Sequence, residues 1–302
     1  MNNHKTMRLL RISAVILANL IWSGSFSATA IAVHFMSPAF LTMVRLGTGA
    51  LVLSPFLRLT GGKRWDWRTI FQALVLGAVG FAAPVYLETK GLALSTPALA
   101  AISIAMEPLF TVLVATALLR EHLGVARRWA TVLAFFGAWA IAGFPRPGRS
   151  GYLAGDLFMV GAVFCYALYN AYSKRLTNVL PPSAATAATL WGGFFASIPL
   201  WWMSGAVVPH QMTGLDWVAV LYLALLATSG AYVLWMFALK SINVSFAALF
   251  LYMQPVLGVV LSVWIVGTRP GLDFYAGAAC ILAAIVMGRD KATIVSDPPV
   301  VL

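Results

Sequence analysis

Two dipeptides in this chain set polar groups beside prolines in apolar surroundings. Glu107-Pro108 stands inside the stretch LSTPALAAISIAMEPLFTVLVATALL, and Gln254-Pro255 inside LYMQPVLGVVLSVWIVG. A carboxylate in such a place is costly unless it is partnered or used. Two uses fit Glu107: contact with an ammonium group of a substrate, or uptake and release of a proton. A third reading is a buried ion pair with Arg45, the other charge inside an apolar run. Counted along their helices, the two lie ~10 and ~15 Å below the same surface, a gap that an arginine spans. Proline also removes a helical hydrogen bond, so Pro108 and Pro255 kink their helices and free a backbone carbonyl. Ser103 precedes Glu107 in the same run and is a further candidate.

Two polar and aromatic stripes accompany the dipeptides. Trp22, Ser25, Phe26 and Thr29 recur at i, i+3, i+4 and i+7, and so do Tyr166, Tyr169, Asn170 and Ser173. That spacing puts each set on one face of a helix. A mid-span asparagine argues for an interior or cavity face, whereas helix packing through hydroxyl hydrogen bonds is the blander reading. Tyr86, Tyr232, Trp235 and Tyr252 are weaker candidates of the same kind, Tyr86 also fitting an interface anchor. The four histidines sit at segment ends or in loops without metal-ligand pairing. HExxH, P-loop and glycine-rich nucleotide motifs are absent, so the sequence implies no metal, no cofactor, no ATP-driven pump and no enzyme. Cys165 and Cys280 lie in apolar runs and form no redox motif.

The elements that must position these residues are long and apolar. Of the 302 residues 61% are hydrophobic and 10% charged, and the mean hydropathy is +0.88. The expected fold class is an all-α integral membrane protein, since each run is long enough to cross a hydrocarbon core and alternating barrel segments are missing. Ten spans are expected, roughly at 12–33, 38–57, 69–89, 95–119, 126–144, 152–175, 182–203, 215–239, 244–266 and 271–288. With the N-terminus inside, cytoplasmic segments carry Lys5, Arg8, Arg11, Arg58, Lys63, Arg64, Arg68, Arg120, Arg127, Arg128, Lys174, Arg175, Lys240, Arg289 and Lys291. Opposite loops carry only Lys90, Arg146, Arg149 and Arg269. This bias places both termini in the cytoplasm and reads the net charge of +11 as topology rather than nucleic-acid binding.

The halves repeat. Pro38 and Pro182 differ by 144, as do Pro55 and Pro199, while Glu107-Pro108 and Gln254-Pro255 differ by 147. One three-residue insertion reconciles the offsets. Trp22 then falls on Tyr166, and the Trp22 stripe on the Tyr166 stripe. Five spans per half force the second copy to enter upside down, the inverted repeat of secondary transporters. The first span, preceded by Lys5, Arg8 and Arg11 and followed by SATAIA, has the look of a signal peptide. Its twin in the sixth span argues that it is a resident helix.

Over residues 10–288 the chain resembles the EamA-type exporters of the drug/metabolite transporter superfamily. The resemblance rests on Pro38 with Arg45, Met106-Glu107-Pro108, the carboxylate in LLREHL (118–123), the glycine-containing WATVLAFFGAWAIAG and the later LYMQPVLGVVLSVWIVG. Arg120 stands where that family usually has glycine, and Thr268 where glutamate is common. The resemblance implies two EamA repeats (10–144 and 152–288) followed by a short cytoplasmic tail (289–302), with spans 1, 3, 4, 6, 8 and 9 around a central cavity and spans 5 and 10 peripheral. It implies secondary export of small metabolites, above all amino acids including aromatic ones, from the cell inner membrane. Efflux of cationic or lipophilic drugs is the alternative, ahead of an intramembrane enzyme or a scaffold. The expected partners are a small solute and the bilayer, with a monomer or a homodimer through spans 5 and 10.

Overall fold

A computed structural model describes residues 2–58, 65–94, 104–142, 153–205, 212–266 and 269–288. Regular structure among them is helical. The rods are α1 (Asn2–Ala32), α2 (Pro38–Leu53, prolonged by a tighter turn Ser54–Arg58), α3 (Trp67–Leu94), α4 (Glu107–Leu119), α5 (Val125–Ile141), α6 (Leu153–Thr177), α7 (Pro182–Met203), α8 (Gly214–Leu239), α9 (Val244–Leu251 and Met253–Val266, broken at Tyr252) and α10 (Leu272–Met287). Among the described residues, six stretches are long and apolar enough to cross a membrane: Leu9–Ala32, Pro38–Arg58, Trp67–Leu94, Leu153–Thr177, Gly214–Leu239 and Val244–Leu261. Glu107–Leu119 and Leu272–Met287 are shorter apolar helices. Bulky side chains such as Trp202, Trp264 and Leu272 point outward almost fully exposed, which suits hydrocarbon and not water.

Local chemistry starts the helices where the sequence turns. Ser37 accepts a hydrogen bond from the Phe40 amide at 3.3 Å, with Pro38 as the first residue of α2. Asp66 accepts from the Thr69 amide at 3.1 Å, and the Thr69 hydroxyl and amide hold its carboxyl below the usual range. Thr213 and Asp216 cap α8 reciprocally. Helix α4 ends on Arg120 in the left-handed conformation, at φ 54°.

The packing follows an exchange symmetry between the halves. Helix α1 packs on α8 as α6 packs on α3; α4 meets α6 as α9 meets α1; α3 crosses α7 as α2 crosses α8. The pairs α2–α7, α4–α9 and α5–α10 are their own counterparts. Helices α3 and α8 each contain a wider π-helical stretch, Ala78–Ala82 and Tyr222–Gly230. Close crossings need small residues. A methyl group on Gly77 would collide with the backbone of α7 at Thr189, and one on Gly192 with Leu74 of α3. The small-residue stripes of α5 and α10 face each other inside the chain. Ala130, Ala134 and Ala138 are buried there against Ile281 and Ala284.

Candidate functional site

Between the halves lies a narrow polar pocket of about 50 Å³, enough for a few waters or one head group. Its wall includes Trp22, Ser25 and Phe26 of α1, Arg45 of α2, Glu88 of α3, Glu107 of α4, Tyr166 and Asn170 of α6, Tyr232 of α8 and Gln254 of α9. Helix α6 presents two donors one turn apart. Tyr166 Oη donates to Glu88 Oε2 at 2.6 Å. Asn170 Nδ2 donates to Glu107 Oε1 at 3.3 Å and to Thr111 Oγ1 at 3.2 Å. At the matching place, Gln254 Nε2 donates to Asn19 Oδ1 at 3.2 Å, so α9 is clasped to α1 as α4 is to α6.

The wide stretch of α8 serves the same pocket. Its unwound ladder offers the Ala227 carbonyl to the Trp22 indole at 2.9 Å, and Thr228 Oγ1 accepts from Arg45 Nε at 3.2 Å. Trp22 stands edge-on to Tyr232 at 5.0 Å and to Trp235 at 5.6 Å, and Phe81 backs Tyr232 at 4.5 Å. Pro108 and Pro255 withdraw the amide hydrogens that would reach the carbonyls of Ile104 and Leu251, and both of those residues line the pocket.

A second, apolar chamber of about 600 Å³ adjoins the polar pocket and shares Phe26, Ile104, Leu251 and Gln254 with it. It lies toward the C-terminal ends of α1, α3 and α5, bordered by Val33, Leu92, Pro108, Ile141, Pro255 and Val259 among others. The volume is that of a small-molecule site.

At the opposite, basic end, side chains tie the described helices to one another. Glu121, just past α4, accepts from the amides of Val244 at 2.9 Å and Ser245 at 3.0 Å, capping α9. Arg127 reaches Ser245 Oγ at 2.9 Å and the Gly288 carbonyl at 3.4 Å. Lys174 donates to the carbonyls of Leu239 and Ile242 at 3.1 and 2.7 Å, and Arg175 to that of Leu118 at 3.0 Å. Three of these four side chains bridge the two halves.

Several sequence expectations need correction. Glu107 shares its pocket with a second carboxylate, Glu88, which a span ending at residue 89 had placed at a helix margin; α3 continues to Leu94. Lys90 therefore belongs to the helix, not to a loop, and lies over the Phe158 ring at 4.8 Å. Arg45 bonds Thr228 instead of pairing with Glu107, because the two helices face the pocket from different sides. Tyr169 and Trp235 are fully buried behind the wall, held by Phe81 and Trp22 respectively. Tyr86 accepts from Lys90 Nζ at 3.4 Å and lines neither cavity. Tyr252, by contrast, does line the apolar chamber, from its buried place at the helix break. Ser103 lies outside the described residues. Sequence reasoning missed Glu88 and Asn19; the latter sits one turn before Trp22 on the stripe already marked.

The profile of the EamA-like transporter family matches residues 9–143 and again 153–288. A protein of Streptantibioticus cattleyicolor named "Probable terminal-alkyne amino-acid exporter" is 24% identical over 283 residues, covering 91% of this chain and 92% of its own. The biotin transporter of Escherichia coli is 25% identical over 288 residues, with 92% and 93% covered. A solved crystal structure shares the fold with a TM-score of 0.74 at 22% identity, over 94% of this chain and 96% of its own.

Proposed function

As the chain belongs to the EamA-like transporter family and is a multi-pass membrane protein, we propose that it is a secondary exporter of amino acids. On this reading the ten rods are ten spans, the second five inverted, in the cell inner membrane with both termini inside. The basic end is then cytoplasmic and closed, and the apolar chamber faces outward. Transport alternates this arrangement with one open at the basic end, rocking around the polar pocket.

The observation that carries the reading is the joining of two unlike cavities. The polar pocket admits a head group only, and holds carboxylates and a guanidinium within one wall. An α-amino acid supplies an ammonium for Glu107 and a carboxylate for Arg45, while its side chain extends past Phe26 into the apolar chamber. A lipophilic amine engages only the carboxylates and makes no use of Arg45, which ranks drug efflux second. The S. cattleyicolor relative, by its name, handles an amino acid, in keeping with this choice. Counterflow in proteoliposomes, with labelled amino acids and cationic dyes compared, tests the proposal. Trans-stimulated uptake of bulky apolar amino acids is expected. Stimulation by dyes alone replaces amino acids by drugs, and stimulation by none of the panel removes both.

A further inference from the structure

The repeat shows which parts of the pocket the fold requires and which it does not. With the offsets of 144 and 147, Tyr166 is the twin of Trp22, and Glu88 (88 + 147 = 235) the twin of Trp235. The twins make the same contact in different chemistry. In one half Trp22 packs edge-on against Trp235 at 5.6 Å. In the other, Tyr166 donates to Glu88 at 2.6 Å. A buried aromatic thus fills this helix position perfectly well, and the fold does not demand a carboxylate there. The other charges follow suit: Arg45 is the twin of Thr189 (45 + 144) and Glu107 of Gln254 (107 + 147). Among the described residues, the three charged ones of the wall all come from the first half.

One cation therefore faces two carboxylates. Arg45, Glu88 and Glu107 line the same pocket, with Glu88 held by the Tyr166 hydroxyl and Glu107 by the Asn170 amide. We propose that Glu88 sets the charge of the solute this site accepts: it offsets Arg45, leaves Glu107 to meet a positive group, and keeps carboxylate-only solutes out. The inference rests on the polar pocket being the solute site, and deepens that reading.

Three probes with the same ring and chain separate the charges: 2-phenylethylamine, phenylalanine and 3-phenylpropionate. Equilibrium binding of each is measured on wild type, Glu88→Gln, Arg45→Gln and the double variant in lipid nanodiscs. Wild type is expected to bind the first two and to reject 3-phenylpropionate. Glu88→Gln should gain at least about tenfold in affinity for 3-phenylpropionate, and the double variant should lose that gain. Should Glu88→Gln fail to fold, the same comparison is made on Glu88→Met, which removes the charge with an apolar side chain of similar length. Affinity of Glu88→Gln for 3-phenylpropionate within about twofold of wild type, or a gain that survives loss of Arg45, overturns the role of Glu88 while leaving the site intact. Wild type that binds none of the probes overturns the amino-acid reading and this inference together.

Discussion

At the scale of single residues, twin positions carry different duties. Glu107→Gln restores the amide that its twin Gln254 already has, and the new side chain can still accept from Asn170. Stability in detergent should therefore change by less than about 1 kcal/mol, while affinity for an ammonium-bearing solute falls at least about tenfold. Gln254→Leu should behave the other way. It strips the donor from buried Asn19 Oδ1 and should cost ~1–3 kcal/mol in thermal unfolding, because an acceptor is left without a partner. Equal affinity losses in both variants would contradict this division. Trp22 is wall and core at once, bonded to the Ala227 carbonyl and packed on two rings, so Trp22→Ala should destabilise by ~3–5 kcal/mol as well as weaken binding. The sequence made Glu107, Asn170, Tyr166 and Gln254 visible because each interrupts an apolar run or sits on a stripe, and the structure brings these four to one pocket. Glu88 was hidden because Glu88-Thr89-Lys90 has the composition of a helix end. Lys90 can remain within the helix by lying along Tyr86 and Phe158. The sequence left an Arg45–Glu107 pair open as one reading, and Arg45 bonds Thr228 instead, because sequence spacing gives depth along a helix but not the direction a side chain faces across a bundle.

At the scale of elements, the joint between α4 and α5 holds a testable strain. Arg120 occupies a left-handed position where the sequence comparison already expected glycine, and a side chain there costs ~1 kcal/mol. Arg120→Gly should raise stability by a few tenths to ~1 kcal/mol, and Arg120→Val should lower it. A thermal shift of opposite order would contradict the backbone account. Helix bounds were legible to within a few residues wherever a cap marks them, as at Ser37-Pro38, Pro182 and Thr213. The π-helical stretches of α3 and α8 were not legible. They depend on contacts from other helices, such as the Trp22 indole on the Ala227 carbonyl, which no local pattern encodes.

At the scale of the molecule, the charge asymmetry and the repeat make one claim about orientation. Val125 lies at the basic end and Leu215 at the other, and both side chains are well exposed. In a Cys165→Ala, Cys280→Ala background, single cysteines at these positions should react with an impermeant maleimide from opposite faces of the membrane. Reaction from the same face contradicts the layout. The repeat was readable because prolines and the Glu/Gln-Pro dipeptides recur at fixed offsets. The closure of the basic end was not, because it is built from side chains reaching backbone groups of distant helices. That closure gives the most direct test of transport by alternating exposure of one pocket. With Glu121 and Ser245 replaced by cysteine in the same background, a short thiol cross-linker spans the cap that Glu121 makes on α9. The measurement is amino-acid counterflow in proteoliposomes before cross-linking, after it, and after cleavage of the linker. The account predicts that cross-linking stops exchange, that cleavage restores it, and that solute still binds the cross-linked protein from the chamber side; exchange that continues undiminished through a cross-linked basic end would contradict it.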